Sequence, residues 1–174
     1  MKTSKLFVAV TVFALLAAGV SKADAQSKTN VTQTSETVRP LQLALVPPSL
    51  QLVPEEESIG GFRLNIYGRN QNVSGVDIGL MHETTGNFSG IEFGILNYVH
   101  GDFVGLELGC IYSETKGNMS GVQVGMFNHA GSIGGVQIGL VNFADDMTGF
   151  QFGLFNQIKS KEKLPVLPLI NAKF

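Results

Sequence analysis

A glycine-anchored motif, Gly-apolar-(Gln/Glu/Asp)-apolar-Gly-apolar-apolar, recurs six times, at Gly75, Gly90, Gly105, Gly121, Gly135 and Gly149. The steps between these glycines are 15, 15, 16, 14 and 14 residues. A second glycine follows each first one four residues later, at Gly79, Gly94, Gly109, Gly125, Gly139 and Gly153. Repetition at a short, nearly fixed period dictates an architecture in which one small unit stacks on its like. It also commits the chain to one repeated surface. Catalysis would instead need unlike residues converging on one point.

Within each copy the apolar residues alternate, as in Val76/Ile78/Leu80, Ile91/Phe93/Ile95 and Val136/Ile138/Leu140. Alternation of β-branched and large apolar residues predicts strands. Between copies lie turn-forming residues: Thr85-Gly86-Asn87, His100-Gly101-Asp102, Lys116-Gly117-Asn118 and Asp145-Asp146. The fold class is therefore all-β, built from tandem 14–16-residue repeats.

The flanks are of a different kind. Lys2 and Lys5 precede an apolar run from Leu6 to Val20, then Ala23-Asp24-Ala25. This layout predicts a signal peptide over residues 1–25, cut between Ala25 and Gln26. The implied destination lies outside the cytoplasm. Residues 26–37 are polar and aperiodic, which predicts a disordered linker. Residues 38–60 form an extended, proline-containing lead-in. The repeat array runs over 61–163, about seven copies with a degenerate one at Gly61, and 164–174 forms a capping strand. Removing the signal peptide leaves 9 cationic and 13 anionic side chains. No basic patch exists to hold phosphates, so nucleic acid is excluded as a partner.

Two stackings fit this period. In a parallel β-solenoid or β-roll, each copy makes one coil that turns at its second glycine, where a positive φ is expected. Val, Ile and Leu then fill the inside. Asp77, Glu92, Glu107, Gln123, Gln137 and Gln151 form an outer polar ladder, structural or interactive, and Asn97, Asn128, Asn142 and Asn156 form another at a corner. The alternative is an antiparallel meander closing as an eight-stranded outer-membrane barrel, with the polar ladder lining its lumen. Three features favour the solenoid. All loops look alike, with no hairpin period of twice the repeat. Near-uniform copies supply little of the stagger that barrel closure demands. Pro165 and Pro168 suit an exposed edge better than a closing strand paired on both sides.

The copies Gly121-Val-Gln-Val-Gly-Met-Phe-Asn128, Gly135-Val-Gln-Ile-Gly-Leu-Val-Asn142 and Gly149-Phe-Gln-Phe-Gly-Leu-Phe-Asn156 resemble a family of exported bacterial surface-repeat proteins with tandem GVQIGLVN units. The resemblance covers about residues 61–174. Asn65, His82 and Tyr112 depart from its pattern, the last two standing where Asn is usual. The resemblance implies the cell surface or outer membrane of a Gram-negative-type bacterium, with the periplasm as the other compartment, and no catalytic residues. The 14-residue spacing is also similar to the head repeats of trimeric adhesins, which form β-rolls.

Other chemistry is sparse. His82, His100 and His129 sit at different repeat offsets, which reads as solvated loop histidines rather than a metal site. Cys110 occupies an apolar slot and reads as a small buried hydrophobe. Asn72, Asn87 and Asn118 begin Asn-x-Ser triplets but also fit turn positions. No phosphate loop, zinc spacing or Ser/His/Asp set is present. The sequence thus predicts a non-enzymatic secreted envelope module without cofactor, engaging an unknown protein, glycan or envelope component, with outer-membrane association open. The alternative is a small integral outer-membrane barrel protein.

Overall fold

The computed structural model describes residues 36–174. The signal segment, the Ala25/Gln26 cleavage site and nearly all of the polar linker lie outside the described residues. The strands are β1 (Val38–Val46), β2 (Leu50–Gln51), β3 (Ser58–Asn70), β4 (Val73–Thr84), β5 (Phe88–Val99), β6 (Phe103–Val124), β7 (Phe127–Ile138), β8 (Val141–Ile158) and β9 (Val166–Lys173). They form one sheet in the order β2-β1-β3-β4-β5-β6-β7-β8-β9. The six pairings from β1/β3 to β7/β8 are parallel. Only the two ends, β1/β2 and β8/β9, are antiparallel. The chain is a parallel β-solenoid, each copy coiling once and stacking on the one before. The antiparallel barrel is ruled out, because its strands would alternate in direction and its last strand would return to its first.

Stacking follows the motif residue by residue. Gly61, Gly75, Gly90 and Gly105 pair in series, as do Gly121, Gly135 and Gly149. Pairing lapses beside the second glycine, between Ile78↔Phe93 and Met81↔Leu96 for example, which marks a corner of the coil. The polar turns make the opposite corner, tied by their own ladder. Asn72 Oδ1 accepts from the Asn87 amide at 2.7 Å, Asn87 Oδ1 from the Asp102 amide at 2.8 Å, and Asp102 Oδ1 from the Asn118 amide at 2.7 Å. Those asparagines therefore serve the turns.

The 16-residue copy absorbs its extra residue between Gly109 and Tyr112, where the register shifts. As a result Leu96 pairs with Tyr112, and Ser113 takes the place of Asn97. Ser113, rather than Tyr112, thus replaces the usual asparagine.

The largest departure from expectation concerns which face is inside. The polar ladder is buried, and the alternating Val/Ile/Leu rows point outward. The apolar interior comes from elsewhere: Ile59, Val73, Phe88, Phe103, Met119, Ile133 and Met147, two residues before each first glycine. Val99, Ala130, Ala144 and Ile158 complete it from the returning strand. Phe88 and Phe103 stack with centroids 4.8 Å apart and planes 5° from parallel, the spacing of successive strands. The reason is local. Gly135 has φ +148°, and its neighbours in the row behave alike. Ile133, Gly135 and Gln137 are alternate residues of one strand and share a face, so the face that buries Ile133 also buries Gln137, with Gly135 between them. A Cβ on Gly135 would lie 1.9 Å from the Gly121 carbonyl oxygen. Positive φ was expected at the second glycine instead. Gly139 has none, but a Cβ there would meet the Gly125 oxygen at 2.3 Å and Asn128 Nδ2 at 2.5 Å.

Candidate functional site

Each coil contributes two polar residues to the half of the interior near the second-glycine corner. The first row runs Gln42, Arg63, Asp77, Glu92, Glu107, Gln123, Gln137, Gln151 and Asn171, all shielded from solvent. The lead-in supplies one end, Gln42 paired with Arg63, and β9 supplies the other, Asn171 paired with Gln151. The second row contains His82, Asn97, Ser113, Asn128 and Asn142 in consecutive register, with Asn156 following.

Buried polar atoms are costly unless bonded, and the amide half of the first row meets that demand at every side-chain atom but Gln151 Oε1. Gln151 Nε2 donates to Gln137 Oε1 at 2.7 Å, Gln137 to Gln123 Oε1 at 2.8 Å, and Gln123 to Glu107 Oε2 at 3.0 Å. Each also donates to a backbone carbonyl six residues on, Gln157, Phe143 and His129 respectively. The asparagine row donates the other way along the solenoid. Asn128 Nδ2 reaches Asn142 Oδ1 at 2.8 Å, and Asn142 reaches Asn156 Oδ1 at 2.7 Å.

The other half of the row is ionisable. Arg63 Nε donates to Asp77 Oδ2 at 2.8 Å, and its Nη2 contacts the same oxygen more closely. His82 Nδ1 lies 2.5 Å from Asp77 Oδ2, and Asn65 Nδ2 donates to Asp77 Oδ1 at 2.9 Å. Burial alone would raise Asp77, but Arg63 and His82 outweigh it and hold the carboxyl below its ordinary range. Glu92 has no such partner, with Arg63 Nη2 3.9 Å away and both its oxygens without a hydrogen bond. Burial, then the neighbouring Glu107 and Asp77, push it well above the carboxylate range. Glu107 is pushed up by burial to about 7, opposed by its bond from Gln123. Three stacked carboxyls coexist because one is ion-paired and the others are driven toward the neutral form.

Asp77, His82 and Glu92 bring potential metal-ligating atoms within 4.8 Å of one another. The donor set is poorly suited to a cation. Both Asp77 oxygens are engaged by Arg63, His82 and Asn65, and the guanidinium already supplies the positive charge. His82 is buried inside the coil, contrary to its reading as a solvated loop residue. His100 and His129 lie on the outside, against Glu83 at 3.2 Å and Glu114 at 3.5 Å. The three histidines do not converge.

The outer surface has the opposite character. Four rows, at one, three, five and six positions after each first glycine, carry no charged residue over seven copies. Ile78, Phe93, Ile138 and Phe152 are each about two-fifths exposed, and Leu154 is 67% exposed. The lead-in and β9 extend these rows at both ends, Leu43 beside Leu64 and Ile170 beside Phe152. Cys110 lies here too and is exposed, not buried as its apolar slot suggested. Charges and turn amides collect at the opposite corner and on one flank, where Arg69, Glu83, Tyr98, Glu114 and His129 form a row in register. Ordinary alternation reveals two faces, but it carries no mark of which one lies inward.

No protein-family model, curated protein or solved structure matches this chain significantly.

Proposed function

We propose that this chain is an exported, non-enzymatic envelope repeat protein, an interaction or structural module that works through its apolar outer rows. One observation carries this reading: polar side chains are spent inside the coil while the outside presents uncharged aliphatic and aromatic rows along its whole length. Monomeric soluble proteins rarely leave more than a few hundred Å² of contiguous apolar surface uncovered. Phe93, Phe150 and Phe152, at 42%, 41% and 38% exposure, already present about 240 Å² if each ring offers about 200 Å². The whole set of rows far exceeds that. The interior polar groups face one another and are closed off from solvent, which supports a structural role for them. The signal-like leader and the likeness to exported surface-repeat proteins support an envelope location.

Fractionation of cells making the tagged full chain tests this. The wild type should be found processed after Ala25 and retained with the envelope. A variant with Ile138→Asp and Leu140→Asp on the outer rows should remain folded yet leave that fraction. Wild-type protein remaining unprocessed in the cytoplasm, or an outer-row variant that stays with the envelope, would refute the reading.

A further inference from the structure

We infer that the second-glycine corner of the solenoid is a lipid-inserting keel, and that the protein sits in one face of a bilayer without spanning it. This rests on the envelope reading above and specifies the partner as a lipid surface.

The argument starts from shape. The corner row includes Ile66, Leu80, Met126, Leu140 and Leu154, at 52%, 47%, 43%, 43% and 67% exposure. It is the ridge where two apolar sides of the coil meet. On one side lie rows such as Ile78, Ile138 and Phe152, and on the other the single row of Met81, Phe127 and Phe155, beyond which Arg69, Glu83 and Glu114 begin a charged row that stays in water and limits the depth of the seat. Nine strands at about 4.8 Å each make this ridge about 40 Å long. A second copy packing sheet to sheet would cover one side and leave the ridge and the other side in water. A fluid apolar phase covers all three together.

Charge placement fixes the orientation. Within the ridge and the rows beside it no residue is charged, so nothing ionic has to enter the acyl region. The turn corner opposite carries Asp102, Lys116, Asp145, Asp146, Lys159 and Lys161, which remain in water. No cationic cluster lies along the keel, so the attraction is apolar and neither anionic lipid nor low salt is required.

The backbone also fits a shallow seat. Interior coils are paired on both sides along their flanks, and where the ladder lapses at the ridge, bonds such as Leu140 N–H to the Met126 carbonyl at 3.0 Å bridge the coils, as a lipid environment demands. The open ends are the weak points, and both carry proline. Pro40 in β1 and Pro168 in β9 remove amide donors from the end strands. An open-ended sheet does not cross a bilayer, which is why insertion is limited to one interface.

Cys110, the chain's one cysteine, lies on the keel and provides a reporter. The full chain, labelled there with an environment-sensitive fluorophore, is mixed with phosphatidylcholine vesicles and floated on a density gradient. The protein should float, and the label should be quenched by doxyl groups on the lipid chains, equally in low and high salt. Leu80→Asp with Leu140→Asp should lower partitioning roughly tenfold while the circular dichroism spectrum is kept. Should that variant unfold, quenching of the label in otherwise unaltered protein still decides the matter. Failure to float together with an unquenched label overturns the inference. So does a stable dimer by sedimentation with a label shielded from both lipid and water. If vesicles fail while cellular protein still partitions with the envelope, the partner is a protein, and only the lipid assignment falls.

Discussion

Arg63 and Asp77 meet on adjacent coils in the interior of the solenoid, where neither side chain reaches water. The pair sits at the lead-in end of the ionisable stretch, next to Gln42, and it provides the one buried cation among the described residues of that row. Breaking such a pair from one side leaves a charge stranded in a medium that cannot solvate it. Arg63→Leu should therefore cost about 3–5 kcal/mol. Adding Asp77→Leu should recover much of that loss, because the stranded carboxylate is then gone. Chemical denaturation of the two variants measures both effects. A double variant no more stable than Arg63→Leu would show that the pair is not the source.

Stability should depend on pH through the same row. Glu107, held up to about 7, and Glu92, raised well above its ordinary value, favour the fold while protonated. Their contribution is complete below the unfolded carboxyl value and is lost as pH rises through the folded one. Asp77 is depressed, so its contribution is present above its unfolded value and is lost as pH falls through the folded one. Thermal stability should thus peak near pH 4–5 and decline toward pH 8. Glu107→Gln, which matches the chemistry of Gln123 one coil on, should flatten that decline and raise the melting temperature at pH 8. An unchanged pH profile in Glu107→Gln would contradict the assignment.

Gln137 tests the inversion of the coil. Its side chain donates to Gln123 and to the Phe143 carbonyl, and accepts from Gln151. Gln137→Lys should bury an unpaired ammonium and cost at least about 3 kcal/mol. Gln137→Leu should cost about 1–3 kcal/mol for the partners it leaves unsatisfied. A polar ladder on the outside would tolerate both. Denaturation midpoints close to wild type for both variants would therefore return the ladder to the surface.

Two adjacent glycines give a sharp contrast. Gly135 combines φ +148° with a carbonyl 1.9 Å from where a Cβ would lie, whereas the nearest atom to a Cβ on Gly134 is 4.0 Å away. Gly135→Ala should destabilise the array by about 1–3 kcal/mol or more. Gly134→Ala should be neutral, or gain about 0.4–1 kcal/mol by restricting the unfolded chain. Equal melting temperatures for the pair would remove the steric argument.

Packing of the apolar half can be checked at Phe103, which is fully buried and stacked on Phe88. Phe103→Ala should cost about 3–5 kcal/mol. Phe150→Ala, on the exposed outer row, should cost much less. Comparable losses at the two positions would show that the outer row is packed in solution.

The repeat, its period and the parallel stacking were legible in the glycine spacing. So was the turn at Gly139, marked by the second glycine that recurs four residues after the first in every copy. What the pattern could not convey was phase. A strand alternates between two faces, and Val136/Ile138 against Gln137 reads equally well with either face inside. Hydropathy favours the aliphatic side, but Gln137 alternates in phase with Ile133, which belongs to the apolar core. Residues such as Phe88, Phe103 and Met119 were present in the sequence yet looked like turn flanks, because they precede the glycine that organises each copy. The joining of His82 to Asp77 depended on the same inversion. Ser113 was hidden by the one-residue insertion, which only the pairing register locates.

The two interior amide rows donate in opposite directions, Gln151 toward Gln123 and Asn128 toward Asn156. Each row by itself would sum its amide dipoles end to end, much as aligned peptide groups do in a helix. Side by side and opposed, they cancel coil by coil. Adding or deleting a whole 14-residue coil therefore builds up no electrical polarity, and the end caps see the same field whatever the number of coils between them. Length in such an array is free to drift by duplication, with the electrostatics of the ends left unchanged.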